Sequence, residues 1–159
     1  MKRLVLTFAI LIGLAAPAWA GLVEGVAAYN RGDYATALRE LRPLANHGDS
    51  LAQSYLGFMY DNGQGVPRDY AEAAKWYRKA AKQGEAIAQA NLGFMYFRGE
   101  GMARDLTQAY MWYDLASSRF PPGAARDRAV RKRDFVAKHM TPAQIAEAQR
   151  LAREWKPKK

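Results

Sequence analysis

Leu56-Gly57-Phe58-Met59-Tyr60 returns 36 residues later as Leu92-Gly93-Phe94-Met95-Tyr96, and the copy extends well beyond the pentapeptide. Residues 48–83 align without a gap on residues 84–119 and share 16 identities over 36 positions. Self-similarity at one fixed period is the mark of a stacked-repeat architecture, in which each unit buries its apolar face only against its neighbours. Upstream, Asp33-Tyr34 precedes Asp69-Tyr70 by the same 36 residues, and Ala37 and Gly48 match Ala73 and Gly84. A third, shorter copy therefore comes first.

Each unit reads as two helices. The first, over 49–62 and again 85–98, sets Ala52, Leu56, Met59 and Tyr60 at i, i+4, i+7 and i+8, the spacing of one buried stripe. Gly63 and Gly65, repeated as Gly99 and Gly101, suit the positive φ that ends a helix. Asp69 with Glu72, and Asp105 with Gln108, have capping-box spacing at the start of the second helix. That helix carries Ala73, Trp76, Tyr77 and Ala80, then Ala109, Trp112, Tyr113 and Ala116, small residues admitting a neighbour and aromatic ones filling the space between hairpins. Gly57 and Gly93 fall inside helices, where glycine costs about 0.5–1 kcal/mol relative to alanine, and close helix packing is the expected compensation.

Leu-Gly-x-Met-Tyr (56–60, 92–96), Gly-x-Gly-x-x-x-Asp (63–69, 99–105) and Ala-x-x-Trp-Tyr-x-x-Ala (73–80, 109–116) on this period resemble the Sel1-like repeat, a relative of the tetratricopeptide repeat. The resemblance implies a right-handed α-solenoid of about three helical hairpins that presents a groove to a protein partner. It implies structural roles for Gly57, Tyr60, Gly63, Gly65, Asp69 and Trp76, and for Gly93, Tyr96, Gly99, Gly101, Asp105 and Trp112. The first hairpin, 22–47, turns directly through Gly32 into Asp33 and lacks the five loop residues 64–68, so it looks more like a plain tetratricopeptide hairpin. Sel1-like units follow at 48–83 and 84–119. Pro43 removes a helical hydrogen bond and predicts a kink or an early end in the second helix.

Outward from the repeats, the ends differ in character. Lys2 and Arg3 precede an uncharged run over 4–16, then Pro17 and Ala18-Trp19-Ala20, the three parts of a cleavable signal peptide in order. Cleavage after Ala20 and export to the periplasm or medium are expected, because the run is shorter than the ~20 apolar residues that span a bilayer. No later segment is long enough to span. Residues 21–119 hold 11 basic and 11 acidic side chains, whereas residues 120–159 hold 11 basic and 4 acidic. Pro121-Pro122-Gly123 ends the array, and a helix over 124–138 follows, with Val130, Phe135 and Val136 among Arg126, Arg128, Arg131, Lys132 and Arg133. Thr141-Pro142-Ala143-Gln144 then starts a last helix with Ile145, Ala148, Leu151, Ala152 and Trp155 on one stripe. An open stack needs a covered end, and residues 120–159 are expected to cover the third hairpin as a basic cap.

Cysteine is absent and the histidines are His47 and His139, which leaves no disulfide, thiolate site or thiol nucleophile. Ser50, Ser54, Ser117 and Ser118 lack a lysine three residues on and a Gly-x-Ser-x-Gly setting. The Gly-x-Gly pairs lack the strand and third glycine of a phosphate loop. A non-catalytic protein without metal or cofactor is expected, with an envelope hydrolase as the enzymatic alternative. Two binding surfaces are candidates. One is a concave groove for a protein partner, lined by Tyr55, Phe58, Asn62, Asn91, Phe94, Phe97 and Arg98 on the first helices. The other is the basic run Arg126, Arg128, Arg131, Lys132 and Arg133, suited to an anionic surface or polymer. Few aromatics interleave with that run, so specific nucleic-acid binding is not expected.

Overall fold

Side chains that accept a backbone N–H start most of the helices. Asp33 accepts from the Thr36 N–H at 3.1 Å, Asp49 from Ala52 at 2.7 Å, Asp69 from Glu72 at 3.0 Å, Glu85 from Ala88 at 2.6 Å and Asp105 from Gln108 at 3.0 Å. Each such cap contributes about 1 kcal/mol. The computed structural model describes residues 18–158, and among them every helix or strand element is an α-helix. The order is α1 (Ala18–Asn30), α2 (Tyr34–Asn46), α3 (Ser50–Asn62), α4 (Tyr70–Lys82), α5 (Ala86–Arg98), α6 (Leu106–Arg119), α7 (Ala124–Ala137) and α8 (Pro142–Glu154). The leader expected over 1–20 lies almost wholly outside the described residues; Ala18–Ala20 begin α1.

The pairs α1·α2, α3·α4 and α5·α6 pack as antiparallel hairpins, and α2·α3 and α4·α5 join one hairpin to the next, giving an all-α repeat solenoid. Asp69 and Asp105 make only half of the capping box that their spacing suggests. The Asp69 N–H donates to the Tyr60 carbonyl at 2.9 Å and the Asp105 N–H to that of Tyr96 at 3.0 Å, so neither needs a side chain reaching back. Glu72 instead pairs with Lys75 at 3.3 Å. The complete box is at Thr141 and Gln144, which opens α8. Pro43 does not end α2, which continues to Asn46. Both Arg39 and Pro43 are exposed, so the carbonyl that the proline leaves without a donor faces water.

Joints between repeats use the loop that the first hairpin lacks. Gly65, at φ +70°, lies where a Cβ would stand 2.8 Å from the Tyr34 Cβ, and Gly101, at the same φ, lies against the Tyr70 carbonyl. Tyr34 and Tyr70 begin α2 and α4, so each loop sits on the second helix of the preceding unit. Gln64 accepts from the Tyr29 hydroxyl at 3.0 Å and donates to that of Tyr34 at 2.8 Å. On the far side of the hairpins the buried Gln53 and Gln89 repeat a second joint, donating to the carbonyls of Ala45 and Ala81 at 3.0 and 3.1 Å.

The end of the array departs from a simple two-helix cover. α7 and α8 each pack on α6 and barely touch one another. Ala129 and Val136 of α7 and Ala148 of α8 are the buried contacts. Arg119 stands at the repeat position of Gln83 and lays its guanidinium 4.3 Å from the Trp155 ring centre, while Trp155 meets Trp112 edge-on at 6.2 Å. Finally the Lys158 N–H donates to the Lys82 carbonyl at 2.8 Å, returning the tail to the end of α4.

A candidate binding face on the first helices

α3 and α5 lie side by side as first helices of successive units, and α7, packed on α6, shares cavities with both. Two cavities open along this face. One, of about 370 Å³, lies between Phe58 of α3, Ile87, Ala90 and Asn91 of α5, and Arg128 and Lys132 of α7. The other, of about 270 Å³, is walled by Phe94, Phe97, Tyr113, Phe135 and Val136, with Arg128, Arg131 and Lys132 also lining it. Arg128 and Lys132 line both, so the cavities are two parts of one groove. A larger hollow of about 510 Å³ runs along residues 38–47, but its lining residues come from α2 and the residue after it, which makes a strip of surface without facing walls.

Lysine chemistry at the centre of the groove is set by its neighbours. The Lys132 ammonium lies 4.9 Å from the Phe94 ring centre and 5.8 Å from that of Tyr113, within cation–π range of both. Partial burial, reinforced by nearby Arg128, holds its pKa below the usual lysine value. No acidic residue lines either cavity. Asn91 lines the first cavity, and its Nδ2 is buried without a hydrogen-bond partner. Phe135, half exposed, meets Phe97 edge-on at 5.7 Å and His139 at 5.0 Å.

The residues expected in a groove are distributed unequally. Phe58 and Asn91 line the first cavity, and Phe94 and Phe97 the second. Tyr55 is half-buried against Tyr29, ring centres 5.0 Å apart. Asn62 returns its amide to the Phe58 carbonyl at 2.9 Å, and Arg98 pairs with Glu100 at 3.2 Å, so both belong to the rim of their own helices. The basic run divides too. Arg128, Arg131 and Lys132 face the groove, whereas Arg133 turns to Asp114 and Asp134, each at 2.8 Å, and Arg126 is exposed outside both cavities. Ile87, Ala90, Tyr113 and Phe135 also line the groove without having been expected there. For α7 a signal existed: Arg128, Lys132 and Phe135 fall at i, i+4 and i+7, one helical stripe.

Residues of the repeat motif do structural work around this face. Gly57 lets the Tyr77 ring lie directly on α3, and Trp76 is buried in the core shared by the first two units. Among the described residues no three His, Cys, Asp or Glu side chains converge as a metal site, and no helix is long and apolar enough to cross a membrane.

This geometry defines a helical-repeat protein with an open inner face. The Sel1 repeat family matches residues 50–85 and 86–119, and those residues are two Sel1 repeats. Such repeats commonly serve as protein–protein interaction scaffolds. A protective antigen present in uropathogenic Escherichia coli strains, displaying an SLR fold, has a crystal structure that matches 88% of this chain at a TM-score of 0.80 and 31% identity. A Sel1 repeat protein from Oxalobacter formigenes matches 60% of this chain at a TM-score of 0.54 and 38% identity. The chain spans 30% of the first protein's length and 27% of the second's. No curated protein matches the sequence.

Proposed function

We propose that the protein is an exported, non-catalytic scaffold that holds a protein partner on the face formed by α3, α5 and α7. The observation that carries this reading is the groove itself. It combines apolar walls from Phe58, Ile87, Phe94, Phe97 and Phe135 with the cations Arg128, Arg131 and Lys132, an open apolar and charged recess of the kind that marks an interaction surface. The basic run supports the same reading, because three of its five members line that groove. An anionic surface contacted by α7 alone is the alternative, and it finds less support because Lys132 lies between Phe94 and Tyr113. For the hydrolase alternative, neither cavity of the groove is lined by a serine, a histidine or an acid.

Site-specific photo-crosslinking in the native cell envelope tests the face. A benzophenone side chain at Ile87, exposed on the groove, is expected to give a discrete adduct, and one at Lys75, exposed on α4, is expected to give none. Adducts from Lys75 alone would move the binding surface to the opposite side. Export is tested by the intact mass of the protein recovered from the envelope, which is expected to begin at Gly21. A species that retains Met1 would refute cleavage.

A further inference from the structure

The groove's cations and its apolar walls constrain what fits. Arg128, Arg131 and Lys132 line it with no acid among them, so an occupant that carries carboxylates meets complementary charge and one that carries cations is repelled. The recess between Phe94, Phe97, Phe135 and Val136 is an apolar hole about the size of one large side chain, and its filling removes water from three aromatic rings. The groove also runs from Phe58 on α3 to Phe135 on α7, a reach that suits a chain segment better than a compact molecule.

We infer that the groove binds an extended acidic segment of a partner protein, with one large apolar side chain seated between Phe94, Phe97 and Phe135 and flanking carboxylates on Arg128, Arg131 and Lys132. This rests on the scaffold reading and adds the chemistry of the partner to it. The chain's own residues 1–17 are a poor occupant, since they contain no acidic side chain.

The probe is a fluorescein-labelled nonapeptide with a central phenylalanine and two glutamates on each side, titrated with the purified protein and followed by anisotropy. Saturable binding is expected, weakened at least tenfold when the phenylalanine becomes serine and when the glutamates become glutamines. Lys132→Glu is expected to weaken binding by the same factor with an unchanged helical circular dichroism spectrum. Arg153→Glu, which alters the net charge equally from an exposed position on α8, is expected to leave it unchanged. Absence of binding, equal loss in Arg153→Glu, or indifference to the central phenylalanine would each overturn the inference. So would binding to phosphatidylglycerol vesicles that depends on Lys132 when the peptide does not bind. If the Ile87 crosslink forms and the peptide fails, the scaffold reading stands and only the partner chemistry falls; if both fail, the face itself is wrong.

Discussion

A Gly101→Ala variant is expected to melt roughly 10 °C below the parent, at about 2–4 °C per kcal/mol for a chain of this size. Two costs add at that residue. Alanine at φ +70° is strained by about 1 kcal/mol or more, and the new methyl group points into the Tyr70 carbonyl. A backbone carbonyl at the start of α4 moves only if the helix moves, and overpacking of this kind adds about 1–3 kcal/mol. Gly48→Ala isolates the first cost: its φ is +100° and no atom lies within 4 Å of the added carbon. Gly57→Ala isolates the second, since it is helical and its methyl would stand 2.5 Å from the fully buried Tyr77 ring, offset in part by about 1 kcal/mol of helix propensity. Gly93→Ala has looser contacts, 3.2 Å to the Ala109 carbonyl and to the Tyr113 ring, and should be the mildest of the helical pair. Thermal denaturation followed by circular dichroism ranks them. A melt for Gly101→Ala equal to that for Gly48→Ala would show that the loop moves freely and does not join the repeats.

That ranking separates what pattern alone conveys from what needs three dimensions. The glycines, the caps at Asp69 and Asp105 and the helix boundaries were legible because each is a local requirement repeated at a fixed interval. The reason for Gly101 was not, because the atoms it must avoid belong to Tyr70, in the preceding unit. Glu72 misled for a related reason: its spacing from Asp69 is right, but the Asp69 N–H is already engaged by Tyr60, a partner from the first helix. Arg133 looked equivalent to Arg131 and Lys132 in the basic run, yet its charge is met by Asp114 on α6. Charge counting cannot distinguish a paired cation from a free one two residues away. The position of α7 was the largest gap. With only Ala129 and Val136 buried, its apolar pattern is too sparse to say which side of α6 it covers, and the groove and the basic run therefore looked like separate surfaces.

Ending the chain after Phe120 is expected to abolish the third unit and leave the first two folded. In a solenoid, stability is close to a sum over neighbouring contacts, so the loss of α7 and α8 falls first on α6 and then on α5. α6 is buried at Tyr110, Met111, Trp112, Tyr113 and Leu115, and α7 and α8 cover much of that surface. Aromatic side chains bury about 150–250 Å² each, so uncovering half of three of them exposes roughly 300 Å² and removes about 7 kcal/mol at 25 cal/mol per Å². That is on the order of a whole domain's net stability, ~5–15 kcal/mol. The core around Leu41, Leu56, Met59 and Trp76 is a distinct cluster between α1 and α4, with no side chain from α6 in it. Helical circular dichroism should therefore fall by more than α7 and α8 contribute, and amide exchange should become fast over 86–119 while residues 34–62 stay protected. Shortening the chain after Met140 removes α8 alone, uncovering Trp112 but retaining Val136 and Lys132 on the groove. That variant is expected to lose stability yet still bind the acidic phenylalanine peptide at low temperature. Uniform loss of protection through residue 34 in the longer deletion would show that the repeats fold as one cooperative body, and binding lost with α8 alone would assign the groove's integrity to the outer helix.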